Sequence, residues 1–131
     1  MGERFFRELT TVDKKQDAAC DAVRWGFPRE VTRKEIDKAY WFRFGGDVVF
    51  WYESVSIMPD SLWIHIAAKP GVRRWLVPTR RWLIGSEVIG ELLGAEQLRF
   101  IPIEGEREVH QHLTSLGWEP DEFGLHKRLG V

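Results

Sequence analysis

A chain of 131 residues with a net charge of −1 has the length of one domain, expected here to span 1–131. With 44% hydrophobic and 30% charged residues, and seven Trp beside eight Phe, it is too apolar and aromatic to be a disordered segment. No apolar run reaches the ~18–20 residues of a membrane span, the opening Met1-Gly2-Glu3-Arg4 is unlike a secretory leader, and one cysteine, Cys20, excludes an intrachain disulfide or a Cys-based zinc centre. A reducing, cytoplasmic setting is expected.

The elements follow in chain order. Asp13 with Gln16 resembles a capping box, and Ala18, Ala19, Ala22 and Val23 recur at helical spacing until Gly26-Phe27-Pro28. Thr32 with Glu35 caps a second, short helix whose apolar side is Ile36 and Ala39. From Tyr40 the period changes to two. Tyr40, Phe42 and Phe44, a Gly45-Gly46-Asp47 turn and the run Val48–Ser56 predict a hairpin. Pro59-Asp60 reads as the next turn, and Leu62, Ile64 and Ile66 as a third strand closed by Lys69-Pro70-Gly71.

Pro78 suits a first helical position. The helix over 79–93 carries a stripe of Trp82, Gly85, Ile89, Leu92 and Leu93, with Gly94 as its stop. A strand over 98–103, a helix over 104–116 ended by Gly117, and a strand over 123–129 complete the order. Consecutive β-α-β units of this kind argue for an α/β fold, a mixed sheet flanked by helices.

Charge is uneven along the chain. Lys69, Arg73, Arg74, Arg80 and Arg81 fall in a window without acids, whereas residues 82–125 hold nine acids and two bases. Such a basic window in a neutral chain points to a local anion site, or to a solvated surface.

The second half resembles the GNAT (N-acetyltransferase-like) superfamily over about residues 40–130, best from Trp63 on. His65-Ile66-Ala67-Ala68-Lys69-Pro70 is similar to the family's central strand, which splays from its neighbour and leads into the coenzyme A loop. Gly94-Ala95-Glu96-Gln97-Leu98-Arg99-Phe100 resembles its next loop and strand, and Val109-x-x-x-Leu113-x-x-Leu116-Gly117-Trp118 its closing helix. The resemblance implies the acyl-CoA N-acyltransferase fold and acetyl-CoA as cofactor, transferring acetyl to an amine acceptor. It implies Arg73, Arg74, Trp75, Leu76 and Val77 at the pyrophosphate, and Ala67 and Ala68 along the pantetheine arm. Where the family loop has glycines, this chain has Leu76 and Pro78, and Pro78 lacks an N–H to offer a phosphate. Where many members carry an Asn and an acidic Tyr, it has Glu106 and Leu113; His110 or His112 are the substitutes for the proton donor. Short GNAT-like chains of this look are encoded by tailed bacteriophages, some as virion components.

Acyl transfer to an amine requires a proton acceptor. Glu53, beside Phe50-Trp51-Tyr52, and His65, on the third strand, are the candidates; the competing readings are a solvent-facing carboxylate and a hydrogen-bonded sheet histidine. No metal is expected, since His110 and His112 are wrongly spaced for one ion. Cys20 is expected to be packed. Two other classes remain open: a GNAT-like protein without catalysis that binds a protein partner or forms a homo-oligomer, and a nucleic-acid-directed protein using the aromatic strands, Trp75, Trp82 and the basic window. They part on ligand-dependent stability, partner assembly and salt-dependent binding.

Overall fold

Alternating aromatics over residues 40–55 form the hairpin they predict. In the computed structural model, which describes residues 6–55, 58–71, 77–101 and 107–130, strands β2 (Tyr40–Phe44) and β3 (Val48–Val55) pair antiparallel around the Gly45-Gly46-Asp47 turn. Strand β4 (Met58–Ala68) pairs antiparallel with β3 and runs through Pro59-Asp60, so those two residues are strand and not the expected turn. An edge strand β1 (Phe6–Leu9), too short and mixed to show a period, pairs with β2.

Helices α1 (Val12–Arg24) and α2 (Arg33–Lys38) stand where capping signals place them. The Thr32–Glu35 capping box is present, but α1 is capped by Thr11, whose hydroxyl accepts from the Lys14 N–H, rather than by Asp13. Ala18, Ala19 and Ala22 are the buried face of α1; Cys20 is exposed, because helical geometry turns it away from that face. Helix α3 (Val77–Leu92) leads to β5 (Gln97–Phe100), and α4 (Arg107–Ser115) to the hairpin of β6 (Glu119–Asp121) and β7 (Gly124–Arg128). Of the described side chains of α3, Trp82 is buried and Ile89 packs on the core as expected, but Ser86 and Gly90 are buried too and Leu92 is 80% exposed, so the stripe is partly rotated from the expected one. Leu116 is likewise exposed, while Leu113 is fully buried. Gly117, at φ 95, ends α4 as expected, and the Trp118 N–H returns to the Leu113 carbonyl.

The seven strands form one mixed sheet in the order β1-β2-β3-β4-β5-β7-β6. Among the described residues only β4 and β5 pair in parallel. Alternate side chains of β3 and β4 build two cores. Val48, Phe50, Tyr52, Leu62, Ile64 and Ile66 pack with Trp82 of α3 and Leu113 of α4 on one face. Val49, Trp51 and Ala67 pack with Trp41 and the alanines of α1 on the other. Trp41, Phe50, Trp51, Tyr52 and Trp82 are all fully or almost fully buried, so these rings are core and not a stacking platform for bases. Among the described residues no helix is long and apolar enough to cross a membrane.

Candidate functional site

The parallel β4–β5 pairing sets the site. It covers only Ser61↔Gln97, Leu62↔Leu98 and Trp63↔Arg99. The described pairing with β5 stops at Trp63, while Ile64–Ala68 stay paired with β3. A strand that parts from its neighbour offers backbone N–H and C=O groups to whatever lies between the two. Ala67 and Ala68 sit at the far end of β4, with their side chains buried in opposite core layers.

Glu53 and His65 lie where this pairing stops, on the α1/α2 face of the sheet. Register brings them together. Trp51 pairs with His65 and Glu53 with Trp63, which makes Glu53 and His65 diagonal neighbours on one face. The imidazole Nε2 is 2.9 Å from Glu53 Oε1. Both groups are largely shielded from water, contrary to a solvent-facing Glu53. The His65 ring ends an aromatic ladder that crosses three strands. Trp41 stacks on Trp51 at 4.6 Å, Trp51 on His65 at 5.0 Å, and Phe27 meets Trp51 and His65 edge-on. This ladder fixes the plane of the imidazole.

A second layer of charge comes from the α1–α2 loop, which sequence reasoning did not single out. Arg29 binds Glu35 through both guanidinium nitrogens, at 2.5 and 3.1 Å, and its Nη2 is 3.9 Å from Glu53 Oε1. Glu35 is only 6% exposed. It also accepts from the Thr32 N–H and hydroxyl and from the Trp51 indole N–H, while its backbone carbonyl accepts from Trp41. Burial pushes the Glu35 carboxyl up, but the Arg29 and Thr32 hydrogen bonds and the Arg29 charge outweigh it and hold it below the ordinary range. The hydrogen bond to Glu35 likewise raises the Arg29 guanidinium. The one available clue was the Thr32–Glu35 capping box: it predicted the helix and hid the buried ion pair made by the same carboxylate.

Ligand atoms of Glu35, Glu53 and His65 lie within 4.8 Å of one another. Arg29, bidentate on Glu35, already supplies the cation there, so these donors do not fit a metal ion. On the other arm of the gap Arg99, buried, donates to Ser61 and to Asp121 at 2.8 Å. His126 Nδ1 is 2.9 Å from the same Asp121 carboxylate but off hydrogen-bond geometry. Cross-strand register therefore sets Glu53, Trp63, Arg99 and His126 in one row across the face.

A cleft of about 370 Å³ opens beside Glu53, lined by Thr32, Lys34, Glu35 and Lys38 of the α2 region and by Tyr40 and Ser54 of the sheet. Of the other candidates, Arg73, Arg74, Trp75 and Leu76 lie outside the described residues, as does Glu106, and Val77 enters only as the first residue of α3. That helix has no acid in its first turn, which suits an anion there. His112 is exposed beside a separate groove with Leu83 and Leu116, and Leu113 faces the core.

No protein-family model matches the sequence, and no curated protein matches it significantly. The fold, in contrast, is shared with solved structures. A protein proposed to be a phosphinothricin N-acetyltransferase superposes with a TM-score of 0.66, at 10% identity, over 97% of this chain and 100% of its own. YncA of Salmonella typhimurium, a proposed acetyltransferase solved with its cofactor acetyl-CoA, gives 0.64 at 11% identity, over 95% of this chain and 93% of its own. FdhC, a nucleotide-linked sugar GNAT solved in the apo state, gives 0.54 at 13% identity, over 93% and 83%. At such identities the likeness establishes the architecture: the chain has the GNAT acyltransferase fold.

Proposed function

We propose that this chain is an acyl-CoA-dependent N-acyltransferase, passing an acetyl group to an amine. One observation carries the reading: the described β4–β5 pairing stops at Trp63, beside the Glu53–His65 pair. A strand edge opened beyond that point would fit a pantetheine arm, because amide groups spaced along a strand match those of an extended chain. Bound there, acetyl-CoA would supply the activated acyl thioester. Backbone N–H groups near Ala67 and Ala68 would hold the thioester oxygen as it gains charge. Glu53 and His65 would accept the proton that the attacking ammonium must lose, the aromatic ladder keeping His65 in place. Arg73 and Arg74, the Trp75–Leu76 segment and the start of α3 at Val77 would receive the pyrophosphate.

The test is calorimetric titration with acetyl-CoA. Saturable micromolar binding that Arg73→Glu removes supports the reading; no heat and no thermal shift at millimolar ligand refutes it. A second reading, a GNAT-like protein that binds a partner without catalysis, such as a virion component, rests on Leu113. It occupies the position of the family's proton-donating Tyr, is fully buried, and has no proton to give.

A further inference from the structure

Both signs of charge line one small cleft. The geometry points to a zwitterion as the acceptor: a small primary amine that also carries a carboxylate, phosphonate or phosphate. This inference rests on the acyltransfer reading of Glu53, and adds the chemical class of the acceptor.

The cleft of about 370 Å³ is of metabolite size. Its acidic side is Glu53 and Glu35. Glu35 is already matched, bidentate, by Arg29. Glu53 has no such dedicated guanidinium: Arg29 stands 3.9 Å away and its close contact is His65. An incoming ammonium therefore finds Glu53 as its acceptor. The same cleft is lined by Lys34 and Lys38, four residues apart and so on one face of α2. The neighbouring face of α2 pairs Arg33 with Asp37, but neither Lys34 nor Lys38 has an ion pair among the described residues. Two ammonium groups without a carboxylate would repel each other and a simple cation, and would welcome an anion. A plain alkylamine satisfies Glu53 and leaves the lysines unmatched, whereas a polyamine is repelled by them. A molecule with an anion at one end and an amine at the other satisfies both the lysines and Glu53.

Ligand binding is read first, without acetyl-CoA. 4-Aminobutyrate and 3-aminopropylphosphonate are titrated against butylamine and butyrate, by calorimetry and by amide shifts of α2 and β3. The zwitterions should bind at least tenfold more tightly than either singly charged compound. The double variant Lys34→Glu/Lys38→Glu, on an exposed helix face, should lose that advantage with its melting temperature and acetyl-CoA affinity unchanged. In turnover, followed by free thiol, the variant should raise KM for the zwitterions more than tenfold with kcat nearly unchanged, and should lower KM for butylamine, which the lysines no longer repel. Equal binding of butylamine and 4-aminobutyrate, or no effect of the double variant, overturns the inference. Failure of the two readings is distinguishable: Lys-dependent zwitterion binding without acetyl-CoA binding sinks the acyltransfer reading alone, and turnover of butylamine only sinks the zwitterion alone.

Discussion

Arg29→Ala is the perturbation that most directly tests the charge arrangement under the α1–α2 loop. Removing one partner of a buried ion pair costs about 3–5 kcal/mol, most of it from the stranded charge. Here Glu35 is buried and Arg29 is 45% exposed, and Thr32 and Trp51 still donate to Glu35 after the change. The expected cost at pH 7 is therefore about 1.5–3 kcal/mol. For a domain of this size, with a urea slope near ~1.5 kcal/mol/M, that lowers the unfolding midpoint by about 1–2 M. The pH dependence identifies the cause. In the wild type the Glu35 carboxyl is held below its ordinary range, so its contribution is complete above the unfolded-state pKa and disappears as pH falls through the folded-state value. In the variant, burial dominates and favours the neutral acid, so Glu35 opposes folding at pH 7 and ceases to do so once protonated. The gap between wild type and variant should shrink by more than half between pH 7 and pH 4, and Arg29→Ala/Glu35→Gln should recover much of the loss at pH 7. A cost below about 0.5 kcal/mol, or one equal at both pH values, would refute the view that Arg29 neutralises Glu35.

Other outcomes follow from the same geometry. Gly124 has φ 125, and a Cβ there would stand 2.6 Å from the Phe100 carbonyl oxygen, so Gly124→Ala should cost about 2–4 kcal/mol by urea unfolding and loosen the β5–β7 pairing. Burial raises the Asp121 carboxyl, but the Phe123 N–H and Arg99 bring it below its ordinary range; stability it provides is present above the unfolded-state pKa and lost as pH falls through the folded one, and Asp121→Asn should flatten the acid limb of the stability profile. If the pair at the gap handles the proton, Glu53→Gln and His65→Gln should each lower kcat/KM by about 10²-fold or more, with acetyl-CoA affinity within about twofold of wild type. Truncating Trp82, fully buried in the larger core, to Ala should cost about 3–5 kcal/mol in the same unfolding assay.

Much of the architecture was legible because strong local signals agreed with tertiary packing. Alternating Phe and Trp in 40–55, the Thr32–Glu35 box and Gly117 each specify their element through sterics or capping, and the structure follows them. The short edge strands β1 and β6 were not legible, since three or four residues cannot show a period and their place is decided by pairing. The stripe of α3 was legible in part: Trp82 is buried and Ile89 packs on the core as expected, whereas Leu92 and Leu93 are exposed and Ser86 and Gly90 are buried instead. Close approach explains part of this: a Cβ at Gly90 would lie 2.6 Å from Leu129. At the site, Glu53 and His65 were identifiable as residue types, but their meeting depends on cross-strand register. Arg29 could not be found, because its partner Glu35 and its neighbour Glu53 come from separate elements that only folding brings together.

A cofactor held between β4 and β5 must perturb the amides of β4 beyond Trp63. Amide chemical shifts of ¹⁵N-labelled protein titrated with acetyl-CoA read this. Saturable shifts should concentrate at Ile64–Ala67 and at the start of α3, with His65 responding and the β6–β7 hairpin quiet. Absence of shifts at millimolar acetyl-CoA, or shifts confined to surfaces away from the β4–β5 gap, would contradict it.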